Sequence, residues 1–368
     1  MKDERAHLQL FDLIARDWAL SSFVQNITFN ANDSAVAFAC ADGSVHLAAT
    51  ADKASPTLRT RRAIDTGRLT IAPRDKPFLP LKPADFTEGR SSEVLAFGAT
   101  GFAFAKTTGR INALTSGGIA VHMAAKAPGE ISVLAASSDS KTVAFACAGQ
   151  IYVSGSDAQT AHRLTAPRPV SAMAFSPDGR TLAVAYADGL SRWDMEGLDR
   201  APVETRLAGS PIRLDWHPTG HWLTASMAVD GFYMIDIAKN HATLRGNFPS
   251  PVRSAVFGLA TGTVVASGAF RVAAWDLALG QPVVTGKAGL VLVSALAASP
   301  NRNLVAVGYA NGLLSLAEIG QPSEILLRED TGAAITAMAW SSNGAYLALA
   351  GSDGSAALVE FPDSMFKS

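Results

Sequence analysis

The sequence predicts an all-β protein folded as a closed ring of four-stranded antiparallel blades, and three observations predict it. The stretch SAMAFSPDGRTLAVAYADGLSRWDMEG, residues 171–197, recurs in altered form along the chain. Its recurrences are spaced by about 40 residues, the period of a β-propeller blade and not that of a helical solenoid. Strand-like runs alternate with period two, and helical periodicity is confined to the first twenty residues.

Anchoring the repeat on Phe175 aligns Phe29, Phe97, Ala136, Phe175, Trp216, Phe257, Ala298 and Trp340, with gaps of 68, 39, 39, 41, 41, 41 and 42 residues. Eight units predict eight blades; seven is the alternative, because the second unit is the weakest. Each unit has an apolar run, a turn, an alternating run, a second turn and a third run. The fourth strand is expected in the connector, as in Val203 to Leu207. The second turns carry Asp42-Gly43, Asp188-Gly189, Asp230-Gly231, Asn311-Gly312 and Asp353-Gly354, dipeptides that accept the positive φ of a tight hairpin. The alternating runs pair a large residue with alanine, as in Val36 to Cys40 and Leu182 to Tyr186. A regular small side suits sheets that stack closely on their neighbours.

Ser176-Pro177-Asp178-Gly179 at the first turn, Asp188-Gly189 at the second and Trp193-Asp194 at the end resemble the WD-repeat β-propeller family. Trp275-Asp276 repeats that ending and Ile235-Asp236 is a weaker form. The resemblance runs from about residue 24 to 361. No Gly-His dipeptide precedes the first strand of any unit, so the buried His, Ser/Thr, Asp, Trp network of the family is expected to be incomplete, with apolar stacking in its place.

A ring must join its two ends. The last unit reaches its third strand at Ala356 to Phe361, leaving too few residues for another, so the missing outer strand is expected from the amino terminus, within His7 to Leu20. The competing expectation is that LFDLIARDW forms a short helix packed on the ring. Cys40 and Cys147 each lie 11 residues after their anchor, at the same strand site two blades apart, beyond disulfide reach. Two free thiols favour a reducing compartment.

Charged residues are 17% and apolar residues 48% of the 368, with a formal net charge of −1. That balance gives no field to draw the chain to nucleic acid or anionic lipid. The charged start MKDERAHLQLFDL lacks a secretory pattern and no apolar run is long enough to span a membrane. The expected location is the cytoplasm.

Catalytic motifs are absent: no nucleophile elbow, phosphate loop or dinucleotide fingerprint. Lys106-Thr107-Thr108-Gly109 reads as a turn. His217 and His221 flank Pro218 and Gly220 in another turn with no third ligand apparent, so no metal or other cofactor is expected. Two features remain. The first is an insertion within residues 52–90, which holds five prolines and nine basic residues, Arg59, Arg61 and Arg62 among them, against five acidic ones. It reads either as a solvated loop or as a docking element for an acidic partner surface. The second is the rim around the second turns, where Tyr186, Met227 and Tyr309 precede the turns and Arg168, Arg213 and Arg253 lie near the starts of successive first strands. Tyrosine and arginine are enriched in binding hot spots, although packing also explains such positions.

Residues 1–368 therefore read as a single propeller with one basic insertion. The resemblance implies a scaffold that binds one or more proteins; the missing catalytic motifs make it non-catalytic, and the charge and hydropathy balance predicts neither nucleic acid nor membrane as a partner. The alternative is a propeller enzyme or small-ligand binder using the central channel, which would need polar groups from several first strands to converge on the axis.

Overall fold

A computed structural model describes residues 9–366 apart from 67, 86–92, 107 and 156–160. The alternating runs form eight antiparallel sheets arranged as a propeller, with the inner strand of each nearest the axis. Blade 1 comprises Val24–Phe29, Ala35–Cys40, Val45–Ala49 and an outer Lys82–Pro83. Blade 2, the weakest in sequence, is a complete sheet of Leu95–Phe97, Gly101–Ala105, Arg110–Leu114 and Ala120–Lys126. Blades 3, 4, 5 and 7 begin at Ile131, Val170, Pro211 and Val293 and also have four strands; the fourth of blade 4 is Val203–Arg206. In blade 6 the sheet has three strands, and its outer position is held by a single bridge between Trp275 and Pro282. Beyond Val283 the chain turns away, and the Gly286 N–H donates to Gln321 O of blade 7 at 2.8 Å.

Alternation explains the stacking. The large residues Val36 and Phe38 of blade 1 pack against Ala348 and Ala350 of blade 8. Its small residues Ala35, Ala37 and Ala39 receive Phe102 and Phe104 of blade 2. Every residue of Ala35–Cys40 is buried, so this second strand is apolar on both faces, and second strands of this kind account for the low charge content.

The tight turns use the left-handed conformation the dipeptides suggested, in two ways. Gly231 takes φ 96° beside the backbone of Arg245, whereas in blade 4 Asp188 itself takes φ 72° and Gly189 opens the third strand.

Ring closure combines both expectations for the amino terminus. Leu10–Ile14 is a helical turn with Phe11 and Ile14 buried, and Ala15–Ala19 then pairs with the third strand of blade 8, Ser355–Glu360, from Ala15 opposite Val359 to Ala19 opposite Ser355. His7 lies outside the described residues. The first turns add a latch on the other side of the seam. Asp33 of blade 1, 5% exposed, accepts the Ser342 N–H at 2.9 Å, the Ser342 hydroxyl at 2.7 Å and the Asn343 N–H at 2.8 Å, all from blade 8. Asp33 has φ 56°, so Asp33→Gly removes the carboxylate without adding backbone strain. Orphaning these donors should cost about 2–3 kcal/mol in chemical denaturation; an unchanged midpoint would show that the latch carries no load.

A further device recurs near the axis. Six inner strands have a register shift at their second residue, at Gln25, Ser132, Ser171, Ile212, Ser294 and Thr336. Such bulges re-aim side chains. Two of them stitch adjoining blades: the Ser294 hydroxyl donates to Ile335 O at 2.7 Å and that of Thr336 to Val24 O at 3.1 Å.

Candidate functional site

Antiparallel order places the second turns and the blade-to-blade connectors on one face of the ring, here the rim face. Of the six rim positions singled out in sequence, three are packed inside. Tyr186 and Tyr309 are each 7% exposed and Met227 is 2% exposed. The Tyr186 hydroxyl donates to Glu204, and that of Tyr309 to Glu324 at 2.7 Å. Burial, then the adjoining carboxylate, pushes both phenols above the ordinary tyrosine value. The two tyrosines fasten second strands to outer strands and Met227 packs in the core between blades 4 and 5, which corrects their expected place at a partner surface.

The three arginines are exposed, but two carry a local counterion. Arg168 pairs with Asp188 and donates to Ala187 O at 2.9 Å. Arg213 makes a two-pronged pair with Asp215, at 2.7 and 3.0 Å, and Asp215 pushes its already high pKa further up. Arg253 has no hydrogen-bond or ion-pair partner among the described residues and faces solvent.

The carbonyl of Ser254, the residue after Arg253, accepts the Ser267 N–H at 3.0 Å at the start of the second turn of blade 6, and that turn carries an apolar feature that the sequence reading missed. Phe270 in the second turn of blade 6 is 45% exposed, and Leu290 in the connector to blade 7 is 95% exposed. The Gly289 N–H donates to Phe270 O at 3.1 Å, which joins turn and connector. Val229, in the second turn of blade 5, is also exposed. Large apolar residues inside Gly-bounded turns, where polar ones are usual, were the available signal.

The axis carries more polar groups than the apolar first strands suggested. Asn26, Glu93, Arg213 and Asp215 come from the inner-strand regions of blades 1, 2 and 5. Asn26 is occupied structurally, its Oδ1 accepting the Val94 N–H at 3.2 Å. Among the described residues no group of three or more His, Cys, Asp or Glu side chains could hold a metal. His217 sits in its turn, with Nδ1 2.8 Å from the Thr219 hydroxyl and its ring edge-on to Phe257. Cys40 and Cys147 are buried free thiols. A cleft of about 310 Å³ lies in the outer seam between blades 7 and 8, lined by Phe11, Asp12, Asp17, Arg328 and Asp353. No described helix is long and apolar enough to cross a membrane.

The insertion is folded over the closure seam. It leaves blade 1 between the third and outer strands, forms a helical turn, Pro56–Arg59, capped by the Ser55 side chain, and continues into a two-stranded hairpin, Thr60–Arg62 with Leu69–Ile71. Arg59 is spent internally. Its guanidinium donates to Ala54 O at 2.9 Å, to Leu13 O at 2.6 Å and to Ala72 O, so it holds the insertion to the amino-terminal turn, a correction to its reading as a docking residue. Arg74 and Arg16 flank Asp52. Trp18 donates to Leu79 O at 3.0 Å and meets the Phe78 ring edge-on. Arg61 and Arg62 alone of the three named arginines are exposed on the hairpin.

The ring and its turns define the class of protein as an eight-bladed β-propeller. The family model described as WD domain, G-beta repeat matches residues 155–192 and 323–358. Each match runs from the outer strand of one blade through the inner strands of the next. Matches and ring together are consistent with a WD-repeat propeller. Among solved structures, the computationally designed Ika8 protein is similar with a TM-score of 0.67 and 19% identity, covering 96% of this chain and 100% of that one. U3-55K is similar with a TM-score of 0.55 and 16% identity, covering 95% and 98%. Both likenesses concern the fold alone. None of the curated proteins searched matches the sequence.

Proposed function

We propose that this propeller is a non-catalytic scaffold that binds a protein partner on the rim face of blades 5 to 7. The observation that carries the reading is the uncompensated Arg253 near the linked, exposed pair Phe270 and Leu290. An apolar anchor ringed by a cation fits a polypeptide that presents an acidic side chain next to an aliphatic or aromatic one. The free thiols Cys40 and Cys147 support a reducing compartment, and we place the protein in the cytoplasm on that basis.

The test is affinity purification from the native cell with the wild-type chain, with Arg253→Glu/Phe270→Ser/Leu290→Ser, and with Leu244→Ser as an exposed control elsewhere. Surface changes of this kind shift stability by about 0.5 kcal/mol or less each, whereas loss of hot-spot contacts abolishes recovery. A stoichiometric partner should be captured by wild type and control and lost by the triple variant. Its retention by the triple variant refutes the rim assignment. A thermal shift produced by metabolites, with no protein captured, favours the small-ligand alternative at the axis.

A further inference from the structure

We propose that the insertion hairpin is an arm that takes up an extended acidic segment of a partner protein as an added β-strand. Its ladder is fixed by the Ala63 N–H donating to Arg68 O at 2.9 Å and the Ala72 N–H to Arg59 O at 3.1 Å. That phase turns the backbone groups of Arg61 and Thr70 towards each other and those of Thr60, Arg62, Leu69 and Ile71 outward. Ile71 packs on the core between blades 7 and 8. Arg62 and Leu69 are exposed, and their outward N–H groups have no partner among the described residues. Both edges of the hairpin are therefore open near its tip.

A two-stranded hairpin with both faces in water is marginal by itself. Here the base is rigid, through Arg59 on three carbonyls and the Asp52–Arg74 pair. The arm is thus held out in a form ready to accept a third strand, and the ordering cost of binding is reduced. Its side chains point to the partner's chemistry. Arg61, Arg62 and Arg68 are exposed without an ion pair among the described residues, and Asp65 is the lone acid in the sequence of the hairpin. Ile64 at the tip is fully exposed and Leu58 at the base is 71% exposed. Short strands and charged side chains usually protect an edge from pairing; here exposed apolar residues, Ile64 and Leu69, stand among the charges. Nucleic acid or lipid headgroups would meet the arginines but leave the open backbone groups and Ile64 unsatisfied. An acidic strand with alternating aliphatic residues meets all three.

The inference is independent of the rim assignment, and its experiment uses the rim triple variant as a control. Fluorescence anisotropy with the full chain would compare a short peptide alternating glutamate and valine, the same peptide N-methylated at alternate residues, an all-glutamate peptide, phosphatidylserine vesicles and duplex DNA. The alternating peptide should bind wild type and the rim variant alike. Arg61→Glu/Arg62→Glu, and separately Leu69→Pro, which removes an outward donor, should each weaken it by about tenfold or more, with unchanged circular dichroism. N-methylation should weaken it similarly. Equal binding of the all-glutamate peptide, indifference to N-methylation or to Arg61→Glu/Arg62→Glu, or preference for vesicles or DNA would each overturn strand addition.

Discussion

Deleting residues 1–20 will leave the protein insoluble, or unfolded at room temperature. The deletion strips the five-residue pairing of Ala15–Ala19 from blade 8 and removes Phe11 and Ile14 from the core it shares with blade 7. Loss of a buried Phe costs about 3–5 kcal/mol and of a buried Ile about 2–5 kcal/mol. With the lost strand pairing this approaches the whole of a typical 5–15 kcal/mol stability, taken as an order of magnitude. The bared edge of Ser355–Glu360 then invites intermolecular pairing. Solubility and thermal melting measure the effect, and a synthetic peptide spanning residues 9–22 should restore both in trans. A truncated chain that melts with the parent would show that the seam is closed by other means.

The second large effect is at Asp52. Its side chain is 11% exposed, between those of Arg16 at 10% and Arg74 at 14%. Burial pushes its pKa up, but the Arg74 hydrogen bond, the Ala54 N–H and the charges of Arg74 and Arg16 outweigh it and hold the carboxyl below its usual range. A depressed folded pKa means stability that is present above the unfolded value of about 3.9 and is lost as pH falls through the lower folded value. Asp52→Asn should therefore cost about 3 kcal/mol near neutral pH, since it leaves two partly buried cations without their carboxylate. The difference from wild type should shrink steadily below about pH 4. Urea midpoints of both proteins across pH would show it; a gap that persists undiminished in acid would assign the loss to packing.

Most of the ring was legible because it is written in local chemistry. The large/alanine alternation of Val36 to Cys40 reports burial on both faces, and the Asp-Gly and Asn-Gly turns punctuate it. The two halves of LFDLIARDW were each read correctly as alternatives, helix and strand, because a five-residue segment of either kind is within reach of the same pattern. The shortened outer position of blade 6 was not legible: Gly286 leaves for Gln321 through a contact with another blade, which no local pattern encodes. The candidate surface was legible in its charges and not in its partners. Arg168, Arg213 and Arg253 are all exposed, but Asp188 and Asp215 neutralise two of them through geometry. The site of Tyr186, Met227 and Tyr309, at the last residue of a second strand, already hinted at burial, since Cys40 and Cys147 share it. The insertion misled most, because counting its arginines says nothing about which are consumed by carbonyls such as Leu13 O.

The antiparallel seam of blade 8 has a mechanical consequence. Ala15 lies opposite Val359, so the chain leading into the first strand and the chain leaving the last one emerge at the same end of the ladder. Tension between the two ends of the polypeptide would load its hydrogen bonds one after another, as a zipper, and not all at once in shear. A ring that resists heat through closure would thus be soft to pulling. The insertion sits at the fork where peeling would begin: Thr57 donates to Glu360 at 3.2 Å, Arg59 to Leu13 O, and Arg16 to Thr50 O at 2.9 Å. It acts as a rivet at the first tooth of the zipper.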